Sequence, residues 1–197
     1  MRRIGSPRIR RSLGATLVAA LLPYVGACGT AEAEAKAPSP SCRGADLSPS
    51  AANSASIAAV TLCLIDRIRT AYHLRPLRSN YELRMLAASQ VNDMVSWNYF
   101  SDDRPPGLSP FSLVSATRYP AHTKGLSIGQ NIGWGTGEYA TPASMVAAWM
   151  ASPGHREIIL TREYRDAGVG VAPAVPQFLE PQLPGATYAI EFGLRRF

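Results

Sequence analysis

Gly125-Leu126-Ser127-Ile128-Gly129 satisfies the G-x-S-x-G pattern that presents a serine nucleophile for acyl transfer. Such an elbow needs an apolar strand before the serine and a helix after it. Ala121-His122-Thr123-Lys124 precedes the motif instead, and Gln130-Asn131-Ile132-Gly133-Trp134-Gly135 follows it. The order of a later acid and then a histidine is met only by Glu138 and His155, so the match reads as coincidental. Three histidines in 197 residues leave little imidazole for other chemistry. His155 follows Ser152-Pro153-Gly154, where the sequence predicts a helix end, and there it would bond frayed carbonyls or hold the turn. Asp102 and Asp103, beside Arg104 in a proline-rich loop, read as solvated or capping groups. Trp97, Trp134 and Trp149 read as core residues, with Trp134 in a glycine-rich segment able to border a cleft.

The elements that must position these residues follow from periodicity. Ile57 to Tyr72 carries Ile57, Val60, Leu64, Ile65 and Ile68 at helical spacing and stops before Leu74-Arg75-Pro76. Asn80 offers an N-cap for a second helix with Leu83, Leu86, Ala87, Val91 and Met94 along one stripe. Ser101 to Pro110 holds three prolines and a glycine and is a loop, after which Pro110 to Ser115 begins a short helix. Thr141 and Pro142 supply an N-cap and an N1 proline for a helix through Met145, Val146, Trp149 and Met150. Gly168-Val169-Gly170-Val171 and Thr187 to Phe192 read as strands, joined by the proline-rich stretch Pro173 to Gly185. Helices first and strands last predict an α+β fold with helices packed on a small antiparallel sheet.

Several of these segments together resemble one family. Tyr99-Phe100-Ser101-Asp102, Gly129-Gln130-Asn131-Ile132-Gly133-Trp134-Gly135, Ala148-Trp149-Met150-Ala151-Ser152-Pro153-Gly154-His155-Arg156 and Gly168-Val169-Gly170-Val171 occur in the order found in the bacterial branch of the CAP superfamily. These are the cysteine-rich secretory, antigen 5 and pathogenesis-related proteins, with the SCP-like extracellular domain. Leu62 to Arg69, Leu74 to Leu77 and Glu191-Phe192-Gly193 extend the likeness over Ile57 to Phe197. The resemblance implies a three-layer α-β-α sandwich with a central cleft, in which many members hold two histidines and two glutamates and some bind zinc. This chain departs from that set. The family's Phe-Ser-His is Phe100-Ser101-Asp102, its Gly-Glu-Asn is Gly129-Gln130-Asn131, and its second glutamate position is Ser152, so His155 alone matches a tetrad member. A catalytic zinc takes three protein ligands, and Asp102 and His155 are the two good donors among the cleft candidates Asp102, Gln130, Ser152 and His155. No bound metal and no cofactor are therefore expected.

The first 27 residues read as an export signal: Arg2, Arg3, Arg8, Arg10 and Arg11 precede an apolar run from Leu13 to Val25, too short to span a bilayer. Val25-Gly26-Ala27-Cys28 looks like a bacterial lipobox, which would place a lipid on Cys28 and anchor the protein to a membrane. Cleavage after Ala33 or Ala35, releasing a soluble protein, is the alternative. The signal holds five of the 20 Lys and Arg and none of the 14 Asp and Glu, leaving 15 against 14, or +1. The basic charge belongs to the signal, so nucleic acid is not an expected partner. Residues 28–56, rich in Ala, Ser and Pro, read as a tether before a domain over 57–197. With Cys28 lipidated, Cys42 and Cys63 remain to close a disulfide in an oxidising compartment, stabilising the fold by roughly 3 kcal/mol; two buried thiols are the alternative. A metal pair is disfavoured because no second cysteine or nearby histidine sits at ligand spacing.

The function expected from these observations is a non-catalytic binding module, secreted or lipid-anchored at the cell envelope, taking a lipid, a wall component or a protein. A metal-dependent or cryptic hydrolase at the envelope is the alternative, and it gains ground if the fold brings further donors, such as His122 or Glu138, into the cleft.

Overall fold

The computed structural model describes residues 41–197. The expected signal, Cys28 and the tether as far as residue 40 lie outside the described residues. From Ser41 the chain already packs on the domain, ahead of the expected boundary at residue 57. Cys42 is buried and bonded to Cys63 with Cα atoms 5.8 Å apart, as expected for the pair. Asn53 closes the turn that follows by accepting from the Ser50 amide and donating to the Ser48 carbonyl. The Ala143 amide donates to the Ala45 carbonyl, fixing this segment to the start of a later helix. Composition alone could not show this, because a covalent clasp orders a stretch too polar to order itself.

Five helices and four strands follow. They are α1 (Ser54–Ala71), β1 (Arg78–Ser79), α2 (Tyr81–Ser96), α3 (Pro110–Ser115), β2 (Gly125–Thr136), α4 (Pro142–Ala151), α5 (Pro153–Leu160), β3 (Asp166–Ala172) and β4 (Gly185–Arg196). Short polar side chains cap three of the helices. Asn80 accepts from the Leu83 amide, Ser109 from the Ser112 amide and Thr141 from the Ser144 amide. Among the described residues no helix is long and apolar enough to cross a membrane.

The strands form one sheet in the order β1-β3-β4-β2. It is mixed, since the two residues of β1 run parallel to β3 while the other neighbours are antiparallel. Periodicity does not reveal β2, which spans the glycine-rich run around the G-x-S-x-G match. Glycines weaken the alternation that marks a strand, yet twelve residues of β2 pair with β4 without a break. Ser127 therefore lies in mid-strand and not on an elbow.

Alternation sorts the sheet into two faces. Ile57 and Ile65 of α1, Met145, Val146 and Trp149 of α4 and Ile159 of α5 bury against Val169, Val171, Tyr188, Ile190 and Phe192. On the opposite face Ala87, Val91 and Met94 of α2 pack on Ile132, Ala172 and Ala189. A three-layer α-β-α sandwich results, as the resemblance implied. Its α2 layer sits backbone-close to β3: a Cβ at Gly168 would collide with the Arg84 backbone nitrogen.

Of the three tryptophans expected in the core, Trp149 is buried and donates from its indole to the Ile132 carbonyl. Trp97 and Trp134 are instead 58% and 40% exposed. Trp97 caps the end of α2 beyond its apolar stripe, and Trp134 stands on β2, an edge strand of the sheet.

Candidate functional site

Two polar side chains, one on each face, hold the loops that carry the candidate residues. Gln90 of α2, fully buried, donates its amide to the Ser101 carbonyl at 3.0 Å and to that of Asp102 at 3.4 Å. It accepts from Arg104 Nε at 3.3 Å, and the same nitrogen pairs with Asp93 at 3.1 Å. The 101–104 loop is thereby clipped over the α2 face. Asn131 of β2 points the other way and donates to the His155 carbonyl at 3.1 Å, tying the start of α5 to the edge strand.

His155 follows the end of α4, as expected, but lies in a second helix and not in a turn. Ser152 closes α4 and at once precedes α5, with Pro153 at the first position and His155 in the first turn. The Ser-Pro-Gly sequence that reads as a stop also reads as a start, because proline at N1 gives up only an amide that has no helical partner. Ser152 is half-buried, and its side chain makes no capping bond to α5.

Asp102 is exposed, but the protein around it withholds enough water to push its carboxyl above the usual carboxylate range, an effect opposed by the charge of His155 and aided by Asp103. The charge of His155 thus reaches Asp102. Gln130 lies buried between the layers, directly opposite Glu191 in the β2–β4 register, and donates from Nε2 to Glu191 Oε1 at 2.5 Å.

Glu191 is the candidate residue that a reading of β4 as a closing strand passes over. It is 3% exposed, and burial pushes its carboxyl up to about 7; the Gln130 bond and Arg104 oppose the rise, and Asp102 adds to it. A lone glutamate in the apolar run Thr187 to Phe192 is the signal, since alternation puts it on a face that the strand buries. His122 and Glu138 are not among the groups whose charges act on Asp102 or Glu191.

These donors do not fit a zinc ion. Among the described residues no three His, Cys, Asp or Glu side chains gather closely enough to hold a metal. The nearest candidates differ in access: Asp102 is exposed and His155 half-buried, while Glu191 is buried with one oxygen committed to Gln130.

Comparisons with known proteins agree with this architecture. Over 97 residues the chain is 35% identical to the uncharacterized protein YkwD of Bacillus subtilis (strain 168), a match covering 49% of this chain and 35% of that protein. It therefore spans about a third of that relative's length. An outer surface protein from Borrelia burgdorferi has a similar fold, with a TM-score of 0.57 at 15% identity over 70% of this chain and 92% of that one. An extracellular protein containing a SCP domain from Bacillus anthracis gives a TM-score of 0.56 at 21% identity, covering 76% of this chain and 44% of that one. Residues 62–176, more than half of the sequence, match the profile of the cysteine-rich secretory protein family. The chain belongs to that family, the CAP superfamily, in its bacterial SCP-like form.

Proposed function

We propose that this protein is a non-catalytic CAP domain displayed outside the cytoplasm, held to a membrane by a lipid on Cys28, and that its cleft binds an uncharged polar ligand such as a wall component. The observation that carries the reading is the Gln130–Glu191 pair. Where the family pattern has a carboxylate on β2, this chain has an amide, and the facing acid is buried with an amide bonded to it. The remaining cleft groups, Asp102 and His155, leave a divalent ion one ligand short of a usual catalytic site. Ligands held by hydrogen bonds to neutral groups suit such a cleft better than cations do.

The test is mass spectrometry and elemental analysis of the natively exported protein, purified without chelator. A co-purifying uncharged glycan or other neutral polar molecule with substoichiometric metal is expected. Near-stoichiometric zinc would overturn the reading. For the anchor, cells fed a radioactive fatty acid should label the wild type and not Cys28→Ala; equal labelling would remove Cys28 from the proposal.

A hydrolase reading has one observation in its favour. Glu191 holds its proton toward neutral pH beside a second carboxyl, which is the arrangement general acid catalysis uses. Substrate would have to reach a side chain that is 3% exposed. Turnover of isolated wall polymer that disappears in Glu191→Gln would establish it.

A further inference from the structure

The Gln130–Glu191 pair is short of one hydrogen. Gln130 Nε2 and Glu191 Oε1 satisfy each other, but Gln130 Oε1 and Glu191 Oε2 are both buried and find no donor among the described residues. Two such acceptors left dry are costly, and native interiors rarely leave them so. The two residues are direct cross-strand partners on one face of the sheet. Within the pair itself, an amide and a carboxylate joined through one pair of atoms satisfy the other pair only by a proton on the acid; Tyr99 Oη and Arg104 Nη2 are the nearby buried donors that also lack partners among the described residues.

We infer that Glu191 is a neutral acid that donates from Oε2 to Gln130 Oε1, closing a two-bond acid–amide ring between β4 and β2, and that this proton stands in for a cation at the cleft floor. Both orphaned oxygens are then satisfied by one hydrogen. The groups that face Glu191 support this. From the loop, Asp102 repels a second negative charge and Arg104 favours one. From α2, Gln90 is neutral and Asp93 is paired with Arg104, which reduces the help that Arg104 gives. From α5, His155 acts on Asp102. Burial outweighs the rest and keeps the proton on the acid until about pH 7. The specificity of the cleft follows. A divalent ion must expel that proton to use Glu191, whereas an uncharged ligand need not.

This consequence rests on the binding function proposed above, but the ring itself is tested without any ligand. The side-chain carboxyl and amide carbons of the exported protein are followed by carbon-13 NMR from pH 4 to 9, with Glu191→Gln assigning the Glu191 signal. The Glu191 carbon is expected to remain in its protonated position at pH 6, and the Gln130 carbonyl carbon to shift with the same midpoint. In Glu191→Gln the Gln130 carbon should be flat with pH. In Asp102→Asn the shared midpoint should fall. An ionised Glu191 at pH 6 overturns the inference, as does a Glu191 that titrates while the Gln130 carbon stays still. Zinc chloride is the probe for the cation clause: no stoichiometric binding is expected at pH 6, where the acid holds its proton. Stoichiometric binding at pH 6 refutes it while leaving the ring to the NMR result.

Discussion

Replacing Glu191 with glutamine should stabilise the protein at alkaline pH and leave it unchanged in acid. In an unfolded chain the glutamate titrates near 4.5, and in the fold it is pushed up to about 7. The folded state therefore holds the proton more tightly, so stability is full below pH 4.5, falls as pH rises toward 7, and levels off above it. A displacement of about 2.5 pH units at 1.36 kcal/mol each amounts to about 3 kcal/mol lost between acid and alkaline conditions. Glutamine is close in shape to the protonated acid, can donate to Gln130 Oε1 and accept from Gln130 Nε2, and does not titrate. Urea unfolding of the oxidised protein, followed by circular dichroism at pH 4, 5.5, 7 and 8.5, would measure the difference between Glu191→Gln and wild type. Near zero is expected at pH 4 and a gain of about 3 kcal/mol at pH 8.5. Asp66 and Asp102 also have raised carboxyls, but both proteins keep them, so the difference isolates Glu191. If the variant is less stable than wild type at pH 8.5, the buried carboxylate has a compensating partner and the reasoning fails.

Three further perturbations test the scaffold. Gly168→Ala drives a methyl into the Arg84 nitrogen on α2, so the layers must separate; a loss of about 3 kcal/mol is expected in thermal unfolding, and an unchanged midpoint would contradict the backbone-close packing. Asp166, buried, accepts from Arg78 at 2.9 Å and from the Tyr119 hydroxyl at 2.9 Å, with Arg195 at 3.4 Å. Asp166→Asn leaves these cations poorly matched and should cost about 3 kcal/mol by urea unfolding, with a smaller loss in high salt pointing to a surface pair instead. The double variant Cys42→Ser/Cys63→Ser frees the chain ahead of α1 and should lower stability by about 3 kcal/mol. Proteolysis should then cut between residues 41 and 53 before any other site; resistance there would mean that the Asn53 turn and the Ala45 bond suffice alone.

Much of the scaffold is legible in the sequence because its signals are local. Asn80 and Thr141 announce their helices by short polar caps, and the apolar stripe of α2 faces the sheet through Ala87, Val91 and Met94. The elements that escape such a reading share a physical cause. β2 is hidden because its glycines carry no side chain to alternate, and α5 is hidden because Ser152-Pro153-Gly154 serves both as the end of one helix and the start of the next. In both places the deciding interactions are tertiary: pairing with β4 along one, and the Asn131 bond to the His155 carbonyl in the other.

The cleft shows the same limit more sharply. Reading position by position, the amide at Gln130 subtracts a carboxylate and nothing nearby restores it. Register changes the sum, because Glu191 lies 61 residues away in sequence and directly across the ladder in space. The site therefore has its buried carboxyl on β4 and an amide facing it on β2, and that pairing sets its chemistry. An acid on β4 bonded to an amide on β2 is buried, so water is scarce and the neutral form wins. A carboxyl count would assign the cleft two acids and an imidazole and favour a metal. Its connectivity assigns one rim acid, one imidazole and a proton already in place, which makes cation binding a competition with that proton.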